Sequence, residues 1–200
     1  MLSCDLTSSS RTVVAAEEYY ADSVYVVMDT NNKGGEYYIN NVLTGQFLKR
    51  YSSTTVSTST YSTSSYLKWK FEYLGDDKFI IRSMYNLNYV LRGSSGDVGL
   101  AYLPTNPTDD YIWYVKASEV GGVTIQNVQS LRMLQYDKAA DEDDSSSTEP
   151  LTLVQPMTSS NSNYEQIVWG IAKVDNYVNL TSFTVTYTDW LSIGSELNSQ

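Results

Sequence analysis

Hydrophobic and polar residues alternate in the same order in three parts of the chain. A short apolar stretch, a polar turn and a second apolar stretch occur at residues 37–39 and 47–48, 79–83 and 89–91, and 123–127 and 133–134. The central isoleucines of these stretches, Ile39, Ile81 and Ile125, lie 42 and 44 residues apart. Period-two alternation bounded by Asn, Gly and Asp is typical of β-strands. The pattern therefore predicts three pairs of short strands.

Each pair is followed by two further strands that also recur. Third strands are predicted at residues 54–60, 98–103 and 151–155, and strands that contain a tryptophan at 66–73, 111–115 and 166–171. The third unit is longer because an acidic insertion, residues 137–149, follows its second strand. Strands of this length are not stable alone, so the three units must share one core. The sequence predicts an all-β domain of three four-strand repeats, at about 35–76, 77–121 and 122–174.

Two segments lie outside the repeats. Residues 1–34 are predicted to be an N-terminal extension with a short helix over 13–21 and a strand over 23–28. Residues 175–200 differ from the repeats, and apolar stretches at 178–185 and 190–193 predict strands there. This C-terminal tail is expected either to begin a further module or to dock on the repeats.

The recurring motif carries a resemblance to a known family. Asn41, Gly45, Phe47 and Leu48 follow the pattern Asn-x-x-(x)-Gly-x-Phe/Tyr-Leu, and a third strand and a tryptophan strand come after it. Residues 35 to 174 therefore resemble the ricin-type β-trefoil. The resemblance implies that six strands close a barrel and that six others form hairpins at one end. It also implies a core of nine recurring residues: Ile39, Ile81, Ile125, Leu48, Leu91, Leu134, Trp69, Trp113 and Trp169.

The C-terminal tail resembles the opening strands of bacterial immunoglobulin-like modules. Residues 175–200 are too few for such a sandwich, which needs about 100 residues. The resemblance implies that further domains of a longer parent protein accompany this chain.

Composition narrows the possible classes of function. The net charge is −10 and no basic tract occurs, so a nucleic-acid partner, which requires clustered Lys and Arg, is not expected. Histidine is absent and Cys4 is the only cysteine, which removes the commonest general base and the usual zinc ligands. No stretch approaches the ~20 apolar residues of a membrane helix. The abundance of Ser, Thr, Tyr and Asn favours an extracellular or cell-surface location.

The resemblance also implies where a sugar would bind. In sugar-binding ricin-type domains an Asp follows the Leu of the second strand, an aromatic ring follows the third strand, and a Gln stands two residues before the Trp. These groups suit sugars, which present both hydroxyl groups and apolar C–H faces. This chain departs from the pattern in every repeat. The Asp positions hold Lys49, Arg92 and Gln135, and the Gln positions hold Leu67, Tyr111 and Ile167, with Gln166 one residue away. The aromatic positions hold Ser59, Leu103 and Val154, with Tyr61 and Tyr102 close by.

Two groups of residues remain candidates for carbohydrate binding in rearranged pockets. The second repeat offers Asn88, Arg92, Tyr102, Asp109 and Asp110 near one loop system. The third repeat offers Gln135, Asp137, Gln155 and Gln166.

No catalytic site, metal site or cofactor is predicted. The adjacent carboxylates at 76–77 and 109–110 lie in predicted turns, where they diverge and do not face each other as the acids of a glycosidase do. The acidic run at 141–144 lacks the spacing and central Gly of an EF-hand loop. We interpret it as a solvated loop.

Two functions are compatible with these observations. The first is a non-catalytic, lectin-like module of an extracellular bacterial protein, with a glycan or a host or cell-wall polysaccharide as its partner. The second is a sugar-blind β-trefoil that serves as a structural spacer or as a protein-interaction or adhesion domain.

Overall fold

A computed structural model describes residues 35–137 and 150–174. Within these residues the chain forms short antiparallel strands and three 3₁₀ turns, at Ser65–Leu67, Asp109–Tyr111 and Tyr164–Ile167. The strands are β1 (Tyr37–Asn41), β2 (Phe47–Arg50), β3 (Val56–Ser59), β4 (Lys68–Gly75), β5 (Lys78–Ser83), β6 (Tyr89–Gly93), β7 (Val98–Tyr102), β8 (Trp113–Ala117), β9 (Val123–Asn127), β10 (Met133–Tyr136), β11 (Leu151–Val154) and β12 (Val168–Lys173).

Six of these strands form a closed ring. In order around the ring, β1 pairs with β4, β4 with β5, β5 with β8, β8 with β9, β9 with β12, and β12 with β1. Closure leaves no unpaired edge in the ring, and side chains of alternate residues fill its interior.

The other six strands form three hairpins, β2–β3, β6–β7 and β10–β11. Each hairpin is joined to the barrel by a pairing of its first strand with β1, β5 or β9. Each repeat thus contributes two barrel strands and one hairpin. This arrangement confirms the predicted all-β fold, a β-trefoil of three four-strand repeats.

The nine residues predicted to form the core are all fully buried, each with 0% relative exposure. They belong to one cluster shared by the three repeats. In each repeat the indole Nε1 of the tryptophan donates a hydrogen bond to the backbone carbonyl of the recurring leucine at 2.9 Å, as in Trp69 to Leu48. Burying an indole N–H requires such a partner. The core prediction is confirmed.

The strands that contain tryptophan begin later than predicted. Residues 66–67, 111 and 166–167 belong to the 3₁₀ turns, although period-two alternation placed them in strands. In the first repeat, the Ser64 hydroxyl accepts a hydrogen bond from the backbone N–H of Tyr66 at 3.3 Å and caps the turn. A turn of three or four residues is too short to show a helical period. The third strand of the first repeat is also shorter than predicted, at Val56–Ser59.

Several predicted features lie outside the described residues. These are the helix over 13–21, the strand over 23–28, the acidic run at 141–144 and the strands of the tail at 178–193. Within residues 35–137 and 150–174, no helix is long and apolar enough to cross a membrane.

Candidate functional site

Two positions face one another at equivalent places in the three repeats. One is the residue directly after the recurring leucine, and the other is the third residue before the tryptophan. They hold Lys49 and Tyr66 in the first repeat, Arg92 and Asp110 in the second, and Gln135 and Gln166 in the third. In the second and third repeats the two residues bond to each other. The three sites therefore differ in whether their own polar groups are already paired.

In the second repeat the two positions form an ion pair. Arg92 Nε lies 2.6 Å from Oδ2 of Asp110, and the hydroxyl of Thr108 donates to the other carboxylate oxygen. Burial raises the pKa of Asp110, but the hydrogen bonds from Thr108 and Arg92 and the positive charge of Arg92 outweigh it, so the pKa lies below its ordinary value. The Arg92 guanidinium also lies over the ring of Tyr111, 5.4 Å from its centroid. Both carboxylate oxygens of Asp110 are therefore engaged.

The other candidates of the second repeat do not join this pair. Tyr102 pairs with Tyr89 across the β6–β7 hairpin, whereas Arg92 pairs with Gly99. Because successive side chains of a strand point to opposite faces, Tyr102 and Arg92 lie on opposite faces of the hairpin. Asn88 is exposed in the loop before the hairpin, and Asp109 is exposed in the 3₁₀ turn that follows it.

In the third repeat, the side-chain amide of Gln135 donates a hydrogen bond to Oε1 of Gln166. Gln135 is buried, and Gln166 is half-buried in the 3₁₀ turn. Gln155 is exposed directly after β11, and Asp137 is half-buried directly after β10. The structure thus brings together two of the four residues predicted for this repeat.

The first repeat has an open pocket at the equivalent place. Its volume is about 470 Å³. It lies between the β2–β3 hairpin and the 3₁₀ turn before β4. The residues that line it are Lys49, Arg50, Tyr51, Ser59, Thr60, Tyr61, Ser62, Ser64, Tyr66 and Leu67. Three tyrosine rings and four hydroxyl-bearing side chains therefore surround one cavity, which is the combination of apolar and polar surface that sugars require.

The ring of Tyr66, which lines the first-repeat pocket, is stacked on a tyrosine of the second repeat. The rings of Tyr66 and Tyr85 are 4.5 Å apart and inclined by 18°. A hydrogen bond to Tyr85 is the main cause that raises the pKa of the Tyr66 hydroxyl above its ordinary value. Tyr85 comes from the β5–β6 loop, so the second repeat supports the pocket of the first. Tyr51, which is 63% exposed, presents a second ring to solvent.

Two cations line the same pocket. Lys49 is half-buried, with Nζ 5.9 Å from the centroid of the Tyr51 ring. Arg50 is 7% exposed, and its guanidinium lies between the rings of Tyr85 and Tyr89, at 4.8 and 4.6 Å from their centroids. Its Nη1 atom is buried without a hydrogen-bond partner in the part of the chain that the structure describes. The pocket therefore carries positive charge in a chain of net charge −10.

A larger cavity of about 600 Å³ lies elsewhere, between the end of β1 and the β8–β9 turn. Its lining consists of Asn40, Val42, Glu119, Val120, Gly121, Gly122 and Gly170. None of the described residues that line this cavity is aromatic, so they offer no stacking surface for a sugar.

The sequence patterns drew attention to Lys49 only as a departure from the Asp of sugar-binding relatives, and they missed Arg50, Tyr51, Tyr66 and Tyr85. A signal for Tyr66 was present in the spacing, since counting three residues back from each tryptophan reaches Tyr66, Asp110 and Gln166. Tyr85 and Arg50 had no such signal, because their contact joins two repeats.

No protein-family model matches the sequence, and a search of curated proteins finds no match. Among solved structures, the chain is similar to ThreeFoil, a designed 3-fold symmetric protein, at 15% identity with a TM-score of 0.53, covering 70% of this chain and 99% of that one. It is similar to Cry35Ab1 at 20% identity and a TM-score of 0.55, covering 76% of this chain and 38% of the other.

A third similar structure is a Polyporus squamosus lectin bound to the epitope Neu5Acα2-6Galβ1-4GlcNAc. Identity is 14% and the TM-score is 0.54, covering 70% of this chain and 49% of the lectin. The chain thus spans half or less of the lectin and of Cry35Ab1. At these identities the similarities establish the fold, and together with the closed barrel and three hairpins they identify the chain as a β-trefoil.

Proposed function

We propose that this chain is a non-catalytic carbohydrate-binding module that binds glycans in the pocket of the first repeat. The observation that carries the proposal is the contrast among three equivalent sites. Arg92 and Asp110 bond to each other, as do Gln135 and Gln166, whereas the first repeat has an open cavity of about 470 Å³. A carbohydrate-binding lectin among the similar structures has the same fold.

The pocket supplies the two kinds of contact that a sugar ring needs. The rings of Tyr51 and Tyr66 are exposed, at 63% and 37%, and offer faces for the apolar C–H side of a sugar. The hydroxyls of Ser62 and Ser64 and the ammonium group of Lys49 line the same cavity and supply hydrogen bonds. Because the site is open to solvent, affinity for one sugar unit is expected to be modest. A parent protein with further domains would bind a glycan more tightly through avidity.

The proposed context is an extracellular or cell-surface protein of bacterial origin. The module would bring its parent to a glycan or to a host or cell-wall polysaccharide without catalysing a reaction. The absence of histidine from the whole chain and its composition rich in Ser, Thr and Tyr support this proposal.

A second candidate function is a sugar-blind β-trefoil that acts as a spacer or as a protein-interaction or adhesion domain. The observation that favours it is the pairing of polar side chains at two of the three equivalent sites. Polar side chains that bond to each other are not available to form hydrogen bonds with a sugar.

A glycan-array screen followed by calorimetry separates the two candidates. We expect binding to at least one glycan, and at least tenfold weaker binding for Tyr66→Ala. Tyr102→Ala is the matched control, since Tyr102 is also an exposed tyrosine but lies outside the pocket. If no glycan binds, the sugar-blind function stands instead. If Tyr102→Ala or Asp110→Ala abolishes binding and Tyr66→Ala does not, the site belongs to the second repeat.

A further inference from the structure

We propose that the first-repeat pocket is specific for acidic sugars and that Lys49 binds their carboxylate. This inference rests on the proposed carbohydrate-binding function and names the class of glycan. It is argued from three features of the described residues: the charge of the pocket lining, the arrangement at the equivalent site of the second repeat, and the environment of Arg50.

Among residues 35–137 and 150–174, those that line the pocket include two cations and no carboxylate. Lys49 and Arg50 are the charged residues among the ten that line it. Three ion pairs occur within residues 35–137 and 150–174, and they join Lys68 to Glu36, Arg82 to Glu72 and Arg92 to Asp110. Neither pocket cation takes part in any of them. A partly desolvated cation without a counter-ion is an attractive site for an anion.

The second repeat shows what the cation at this position binds. Arg92 occupies the position of Lys49, and its partner is the carboxylate of Asp110 at 2.6 Å. Asp110 occupies the position of Tyr66. The second repeat thus has a carboxylate of its own at this position, whereas the first repeat has Tyr66 there and a cavity beside it. In the first repeat, a carboxylate from a ligand would pair with Lys49, as Asp110 pairs with Arg92 in the second repeat.

Arg50 adds a fixed positive charge to the wall of the pocket. Its guanidinium is held between two tyrosine rings and has no carboxylate partner within the described ranges. Such a charge is only weakly screened by solvent, because Arg50 is 7% exposed. The positive charge of Arg50 also acts on the hydroxyl of Tyr66. A hydrogen bond to Tyr85 raises the pKa of that hydroxyl, and the charge of Arg50 lowers it by a smaller amount. The field of Arg50 therefore favours an anion in the cavity without a direct bond.

The test compares glycans that differ only in the acidic group, using the full chain. The pairs are 6′-sialyllactose with the methyl ester of its sialic acid, oligogalacturonates with the corresponding neutral galactose oligomers, and chondroitin sulfate with desulfated chondroitin. We expect calorimetry to give at least tenfold tighter binding to the carboxylate member of one of the first two pairs. That preference should weaken as the salt concentration rises.

Variants then assign the preference to Lys49. Lys49→Gln should lower affinity for the preferred acidic glycan about tenfold, the effect of one charge-assisted hydrogen bond, and should leave affinity for its neutral counterpart within about twofold. Lys116→Gln is the matched control, because Lys116 is also a lysine close to a tyrosine ring, at 4.9 Å, but does not line the pocket. Circular dichroism checks that both variants are folded.

The possible failures are distinguishable. Binding of neutral and acidic glycans with equal affinity would overturn acidic specificity and leave the carbohydrate-binding function intact. Binding of sulfated glycans alone, or a preference for carboxylates that Lys49→Gln does not change, would overturn the assignment of a carboxylate to Lys49. Failure to bind any glycan would overturn the proposed function itself, and this inference with it.

Discussion

The guanidinium of Arg92 lies 2.6 Å from the carboxylate of Asp110, at the two positions that Lys49 and Tyr66 hold in the first repeat. The same place in the fold therefore holds an ion pair in one repeat and borders an open pocket in another. Because the residue three before the tryptophan differs between the two sites, one substitution should convert the open form into the closed one.

The first prediction is that Tyr66→Asp closes the pocket. The new carboxylate would occupy the position equivalent to Asp110 and form an ion pair with Lys49. A ligand would then lose the tyrosine ring and the unpaired ammonium group as binding partners. Calorimetry with the best glycan of the wild-type protein should show a loss of at least tenfold in affinity. Tyr66→Phe is the control, since it keeps the ring and adds no charge; equal losses for both variants would contradict closure by an ion pair.

The second prediction concerns pH. The pKa of Asp110 is lower in the folded protein than its ordinary value. Its contribution to the free energy of unfolding is therefore complete above about pH 4, the ordinary pKa of an aspartate, and is lost as the pH falls towards the lower folded value. Urea unfolding at pH 6, 4, 3 and 2.5 should show a gap between wild type and Asp110→Asn that shrinks below pH 4.

At pH 6 we expect Asp110→Asn to cost about 1–2 kcal/mol, towards the low end for a charged hydrogen bond. The value is low because the Arg92 side chain is 48% exposed, and solvent screens the pair. Asp109→Asn, at an exposed position, is the control and should leave the free energy of unfolding nearly unchanged. A gap that persists unchanged at pH 2.5 would exclude the ion pair as its cause.

The third prediction tests the hydrogen bond from tryptophan to leucine that occurs in the core of each repeat. Trp69→Phe removes the hydrogen bond to the backbone carbonyl of the buried Leu48 and opens a cavity. We expect a loss of about 2–4 kcal/mol in the free energy of unfolding. Trp113→Phe and Trp169→Phe should cost similar amounts, because their bonds have the same length. Tyr102→Phe, at an exposed ring, should cost little by comparison.

The fourth prediction concerns a turn that occurs in the first and third repeats, with glycine at its positive-φ position in the first and leucine in the third. Gly45 has a φ of 68°, four residues after Asn41, and Leu131 has a φ of 56° four residues after Asn127. In both turns the residue with positive φ donates a backbone hydrogen bond to that asparagine, at 2.8 and 2.9 Å. A leucine in this conformation is strained, whereas glycine is not. Leu131→Gly should therefore raise the free energy of unfolding by about 0.5–1 kcal/mol.

The complementary substitution Gly45→Leu should lower the free energy of unfolding by about 1–2 kcal/mol. No atom lies within 4 Å of a Cβ built at Gly45, so the loss would come from backbone strain and not from a clash. Thermal unfolding followed by circular dichroism measures both effects. A stabilising Gly45→Leu, or a destabilising Leu131→Gly, would contradict the assignment of strain to the positive φ.

Much of the fold was determined by the sequence alone. Apolar residues that recur every 42 to 44 positions, such as Ile39 and Ile81, together with the leucine and tryptophan of each repeat, specified three four-strand units that share a core. These signals were readable because each core residue obeys a local strand period, and because three copies of a short unit must be buried against one another. The starts of the tryptophan strands were not determined, since three residues cannot reveal a 3₁₀ turn.

The state of each site was decided by the tertiary structure. The sequence showed that Lys49, Arg92 and Gln135 replace an expected Asp, but it could not show which of them had found a partner within the chain. Arg92 meets Asp110 and Gln135 meets Gln166 across 18 and 31 residues, and Tyr85 from the next repeat stacks on Tyr66, which lines the Lys49 pocket. Whether a polar side chain is satisfied or remains open to a ligand depends on the distance between atoms far apart in the chain. Only the packing of the three repeats sets that distance.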